Sequence, residues 1–166
     1  MSLDQIRQRL EDARGKKSVA REYDQASRMF FEDLLEYSSV PEEYCDFAIE
    51  VLSDPVHYQT KNAGLFLYEL YTSRDALSED QAQRVLGTIC RNYSDYENEE
   101  LCLLASDFIV RIFDRETAIG AMENLSKAVK NTNQKAGLLV AVQAIAHGCG
   151  DPNALQRCGA LTERLK

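Results

Sequence analysis

The chain has 166 residues, 45% hydrophobic and 28% charged, with a net charge of −8, enough for one domain that buries its own core without disulfides or metals. No apolar run approaches the roughly 18 residues of a membrane span; the longest, Ala136 to Ala146, is short and broken by Gln143. The opening Met-Ser-Leu-Asp-Gln-Ile has neither the basic flank nor the apolar stretch of a secretory signal, so a cytoplasmic protein is expected.

Helix signals recur from end to end and strand signals are nearly absent. Leu3, Ile6 and Leu10 mark a short helix. Ser18 can cap a long one reaching about Tyr37, with Val19, Tyr23, Ala26, Met29, Phe30 and Leu34 on its apolar side. Pro41 suits the first turn of the next helix, where Glu42 and Glu43 favour the positive end of its dipole. Ser78 followed by Gln81 is a capping box. Asp114 can cap a further helix, and Asp151-Pro152 pairs a cap with a first-turn proline. His147-Gly148-Cys149-Gly150 has the composition of a helix terminus.

The starts at 41, 78, 114 and 151 are separated by 37, 36 and 37 residues. The apolar residues keep the same register. Cys45, Ala48, Ile49 and Leu52 stand at i, i+3, i+4 and i+7, as do Ala82, Val85, Leu86 and Ile89, and then Ala118, Ala121, Met122 and Leu125. Lys61-Asn62-Ala63-Gly64-Leu65-Phe66-Leu67 is matched two periods later by Gln134-Lys135-Ala136-Gly137-Leu138-Leu139-Val140. Glycine costs a helix about 1 kcal/mol against alanine, so Gly64 and Gly137 at matching places point to close backbone approach.

In period and pattern residues 41–166 resemble the HEAT and armadillo repeat superfamily of stacked antiparallel helix pairs. The resemblance implies an all-α, right-handed solenoid. Residues 1–40 would be an N-terminal helical cap, 41–77, 78–113 and 114–150 three helical pairs, and 151–166 a closing helix. If the second helix of each pair lines the concave face, Asn62, Glu69, Glu99, Ser106, Lys135 and Gln143 form an exposed polar stripe, with Tyr68 and Asp107 beside it.

No catalytic set stands out, and neither a cofactor nor a metal is expected. Gly15-Lys16-Lys17-Ser18 lacks the first glycine and the adjacent hydroxyl of a phosphate-binding loop. Five cysteines, Cys45, Cys90, Cys102, Cys149 and Cys158, have no regular short spacing and fall mostly on apolar helix positions, as small hydrophobes do. His57, just after Asp54-Pro55, reads as a polar surface residue. The pairs Glu42/Glu43, Glu79/Asp80 and Glu99/Glu100 fall in first helical turns, where acids complement the dipole. One stretch exceeds that explanation. Residues 92–100 carry Tyr93, Asp95, Tyr96, Glu97, Glu99 and Glu100, and exposed tyrosine beside carboxylates suits recognition of a basic surface.

The charge balance is −1 over residues 1–40, −9 over 41–113 and +2 over 114–166. An acidic middle disfavours nucleic acid and favours a basic protein partner. The expected function is therefore a cytoplasmic interaction module, monomeric when unbound, that meets such a partner through Tyr68, Glu69, Tyr93, Asp95, Tyr96, Glu97, Glu99, Glu100 and Asp107. One form is an immunity protein that covers the basic cleft of a bacterial toxin. The competing expectation is an enzyme or small-ligand binder using the concave groove.

Overall fold

Every predicted helix start is present. A computed structural model describes residues 2–72 and 77–166, and those residues form ten α-helices and one 3-10 turn, with no strand among them. They fall into two compact units, Met1–Thr88 and Ile89–Lys166. No helix among the described residues is long and apolar enough to cross a membrane.

The first unit contains α1 (Leu3–Ala13), α2 (Val19–Leu34), α3 (Glu42–Ser53), α4 (Pro55–Tyr58), α5 (Gly64–Thr72) and most of α6 (Glu79–Asn92). Ser18 stands before α2, but its hydroxyl makes no capping bond. The helix ends at Leu34 rather than near Tyr37, because the chain tightens to i→i+3 bonds at Glu36 and Tyr37. Pro41 sits one place earlier than expected, at the cap position, and its carbonyl accepts from Tyr44 and Cys45. The box at α6 is complete: Ser78 N–H donates to Gln81 Oε1 (3.0 Å) and Gln81 N–H donates to Ser78 Oγ (3.2 Å). Gln81 also reaches outward, its amide donating to the Val40 carbonyl (3.0 Å) and to Glu42 (2.9 Å). Arg84, a turn later, pairs with Glu42 (2.8 Å) and with Asp46. Beneath them Phe30, Tyr44, Phe47 and Phe66 form a buried aromatic cluster with ring centroids 5.2–5.9 Å apart, within the range of favourable ring contacts.

The second unit begins in the last turn of α6, passes through the 3-10 turn Tyr93–Asp95, and continues as α7 (Glu99–Ile112), α8 (Arg115–Ser126), α9 (Thr132–Ala146) and α10 (Pro152–Leu165). Asn98, Asp114, Asn131 and Asp151 cap these four helices through their side chains. Helix α9 packs against α7, α8 and α10. Arg157 of α10 grips Glu123 of α8 with two bonds (2.8 and 2.9 Å) and pairs with Glu116 as well. At the end of α9, Gly148 adopts the left-handed conformation (φ 68°) expected of that terminus.

The matched glycines part company. Gly137 lies inside α9, whereas Gly64 is the first residue of α5. The segment before Gly64 is a turn, not a helix, because Asn62 is left-handed (φ 71°) and its amide is spent on the Ala20 carbonyl (2.8 Å). At Gly137 close approach is real: a Cβ would meet the Cys102 carbonyl oxygen at 2.7 Å and the Tyr93 hydroxyl at 2.7 Å.

Gly137→Ala is expected to destabilise by about 1–3 kcal/mol through overpacking. Gly120→Ala in α8, where a Cβ meets nothing within 4 Å, should instead stabilise by about 0.5–1 kcal/mol from helix propensity. Urea denaturation of the two variants tests the pair, and equal signs would contradict the packing described.

Candidate protein-interaction site

The sequence expectations converge on the segment joining α6 to α7. As α6 ends it tightens into the 3-10 turn, and residues three apart in a 3-10 turn lie on one face. Tyr93 and Tyr96 therefore both point inward. They are 1% and 0% exposed, with their rings edge to face at 5.9 Å. This overturns the expectation that these tyrosines are exposed; they form a floor beneath the acidic residues of the loop. The Tyr93 hydroxyl donates to the Gln134 carbonyl (3.0 Å) and lies 3.2 Å from Ser106 Oγ, which itself donates to the Cys102 carbonyl (2.9 Å). Ser106, expected in an exposed stripe, is consequently buried too. Burial raises the Tyr93 phenol above its usual pKa, so it remains a donor.

Above that floor, three side-chain amides from the start of α9 hold the loop backbone. Asn131 (3.0 Å) and Gln134 (2.8 Å) both donate to the Tyr96 carbonyl, and Asn133 donates to the Glu97 carbonyl (2.8 Å). Lys130 pairs with Asp95 at 3.2 Å. Asn98 then caps α7 by accepting from the Glu100 and Leu101 N–H groups (3.0 and 3.4 Å). The segment is thus pinned by its own carbonyls, while the carboxylates of Asp95, Glu97 and Glu99 are exposed and that of Glu100 is half-buried.

The remaining expected contact residues are dispersed. Asp107, half-buried on α7, pairs with Arg111 of the same helix (2.8 Å). Tyr68 and Glu69 belong to α5 in the first unit; Tyr68 is 39% exposed and packs edge to face on Tyr71. Glu69 is half-buried, and desolvation raises its carboxyl pKa against the pull of Arg28. Of the other stripe members, Glu99, Lys135 and Gln143 are exposed and Asn62 is half-buried.

Two features escaped sequence reasoning. The first is the division of charge: residues 1–88 carry 17 acidic and 10 basic groups, a balance of −7, while residues 89–166 carry 10 and 9. The acidic loop thus sits in the nearly neutral unit. The second is His57, which is buried (6% exposed) rather than on the surface. In the four-residue α4 it is Val56 that faces solvent, at 46% exposure, while His57 and Tyr58 turn inward. His57 Nδ1 lies 2.8 Å from the Tyr23 hydroxyl.

Two of the buried thiols are chemically quiet. Burial pushes Cys45 up to about 11 and Cys102 up to about 12, so both are protonated near neutral pH and are poor nucleophiles. Among the described residues no three His, Cys, Asp or Glu side chains are placed to hold a metal ion. The chain matches no protein-family model, no curated protein and no solved structure.

Asn131→Ala removes both the cap of α9 and one amide on Tyr96, and is expected to cost about 1–2 kcal/mol. Asn133→Ala removes a single exposed bond and should cost less than about 0.5 kcal/mol. Hydrogen exchange should show residues 96–98 losing protection in the first variant and barely in the second.

Proposed function

We propose that the chain is a cytoplasmic protein-interaction module that binds a basic protein surface through the carboxylates of the loop between α6 and α7. The observation that carries this reading is the pinning of that loop by Asn131, Asn133 and Gln134 while Asp95, Glu97 and Glu99 stay exposed. A backbone fixed beforehand loses little conformational freedom on binding, so charge held on it is better used than charge on a loose tail. The surplus of acids in the first unit adds a long-range field that steers a cation-rich partner toward the protein. An immunity protein covering the basic nucleic-acid cleft of a toxin is one form such a module takes.

For the architecture we infer HEAT/armadillo-like helical pairs stacked as a short right-handed solenoid. Supporting it are helix starts at Glu42, Glu79, Arg115 and Pro152, spaced by 37, 36 and 37 residues, and the period typical of such repeats.

The test uses the product of the neighbouring gene as partner, with association measured at low and high salt. Association is expected to be fast at low salt and screened at high salt. Reversing Glu97, Glu99 and Glu100 together to lysine should slow it by about tenfold or more and flatten its salt dependence, with the helical circular dichroism unchanged. Binding that ignores both salt and the triple reversal would overturn the proposal.

A further inference from the structure

In the first unit one carboxylate stands between a guanidinium and an imidazole from different helices. Glu50 of α3 accepts from Arg7 of α1 through Oε2, at 3.1 Å from Nη2 and 3.4 Å from Nε. Its other oxygen lies 3.7 Å from His57 Nε2, just beyond a hydrogen bond. Arg7 also stacks over the Phe47 ring of α3 at 5.0 Å, so this guanidinium is a tie from α1 to α3. Beside these groups is a polar cleft of about 420 Å³, which gives Glu50 room to turn.

We propose that His57 is a proton-operated latch on α1: when its imidazole takes up a proton, Glu50 turns from Arg7 toward His57 and α1 loosens its hold on α3. The hydrogen bonding around His57 accommodates both states. With the ring neutral and its proton on Nε2, the Tyr23 hydroxyl of α2 donates to Nδ1. With the ring charged, Nδ1–H donates and Tyr23 becomes the acceptor, its O–H turning to donate to the side chain of Thr60, with which it is already hydrogen-bonded. At Nδ1 and at the Tyr23 hydroxyl no polar atom loses its partner in either state, so the opposition to charging is mainly desolvation.

The groups facing His57 come from each neighbouring element. Glu50 of α3, Asp54 at the start of α4 and Glu11 of α1 favour the charged form, and Arg14, just past the end of α1, opposes it. Burial outweighs them and lowers the pKa from its ordinary 6.5. A conformation in which Glu50 closes on the ring and water enters the cleft relieves that burial, so proton uptake favours it by linkage. The unfolded imidazole binds its proton near the ordinary value and the folded one only at lower pH. Between the two, the unfolded state holds more protons. Stability is therefore complete above about pH 6.5 and declines as the pH falls through that window.

The chain has two histidines, His57 and His147, so proton NMR can follow His57 directly, with the urea-unfolded protein as reference. Its midpoint is expected below that reference. Amide protection across α1, corrected for intrinsic exchange, should fall on acidification by about tenfold for each pH unit separating the two midpoints, and more than protection across α3. His57→Phe, which keeps an aromatic ring but cannot titrate, should remove this extra loss. Glu50→Gln should lower the His57 midpoint further, a readout available even if the phenylalanine variant fails to fold. A folded His57 midpoint at or above the reference overturns the latch, as does an α1 pH response that is unchanged in His57→Phe.

Discussion

At Gly137 the backbone of α9 runs so near α7 that one added carbon would stand 2.7 Å from the Cys102 carbonyl. Backbone cannot retreat from such a clash as the tip of a flexible side chain can. The same missing carbon makes room for the Tyr93 hydroxyl, which bonds the Gln134 carbonyl within the preceding turn of α9. Once α9 is at that distance, Asn131 and Gln134 at its start meet the Tyr96 carbonyl, and Asn133 meets that of Glu97. The exposed carboxylates thus depend for their placement on a helix contact several residues away and entirely buried. Their presentation is a packing property before it is an electrostatic one.

The first unit solves the corresponding problem with a side chain. Gln81 closes the box at the head of α6 with its oxygen and holds the Val40 carbonyl, just ahead of α3, with its nitrogen. Arg84 then joins Glu42 and Asp46. Two acids of the negative central segment are thereby spent on internal ties, as Glu50 is on Arg7. Formal charge therefore overstates the negative surface that is available. Partly exposed pairs of this kind contribute little stability singly, and their value here is in fixing helix placement.

The helix starts were legible because capping is local chemistry. Ser78 with Gln81, Asp114 and Asp151 each do what their spacing requires. The tyrosines of the loop were misjudged although a signal was present: Ile89, Tyr93 and Tyr96 continue one helical stripe at i, i+4 and i+7, and all three are buried. The acids between them masked the period, since Asp95 and Glu97 look outward from the same stretch. Ser106 gave no signal of its own, for its burial depends on a partner hydroxyl thirteen residues earlier. His57 was hidden for another reason. A helix of four residues has no period, so which of Val56 and His57 turns inward is decided by Tyr23 and Glu50 on other helices. The Gly64 correspondence failed because a left-handed asparagine two residues earlier is a tertiary choice, fixed by the Ala20 carbonyl.

The distribution of charge separates two roles that net charge alone runs together. Steering depends on the summed field and acts over about a Debye length, near 8 Å at physiological salt. On that scale a unit with a balance of −7 dominates wherever a partner approaches it. Holding a partner depends instead on a few groups whose positions are fixed before contact, and whose own counter-charges do not already satisfy them. Asp95 is partly satisfied by Lys130, whereas the exposed Glu97 and Glu99 lie where the amides of α9 have fixed the backbone and left the side chains outside. A surface that attracts and a surface that retains need not coincide. The nearly neutral balance of the second unit is therefore compatible with its loop being the place where contact is made.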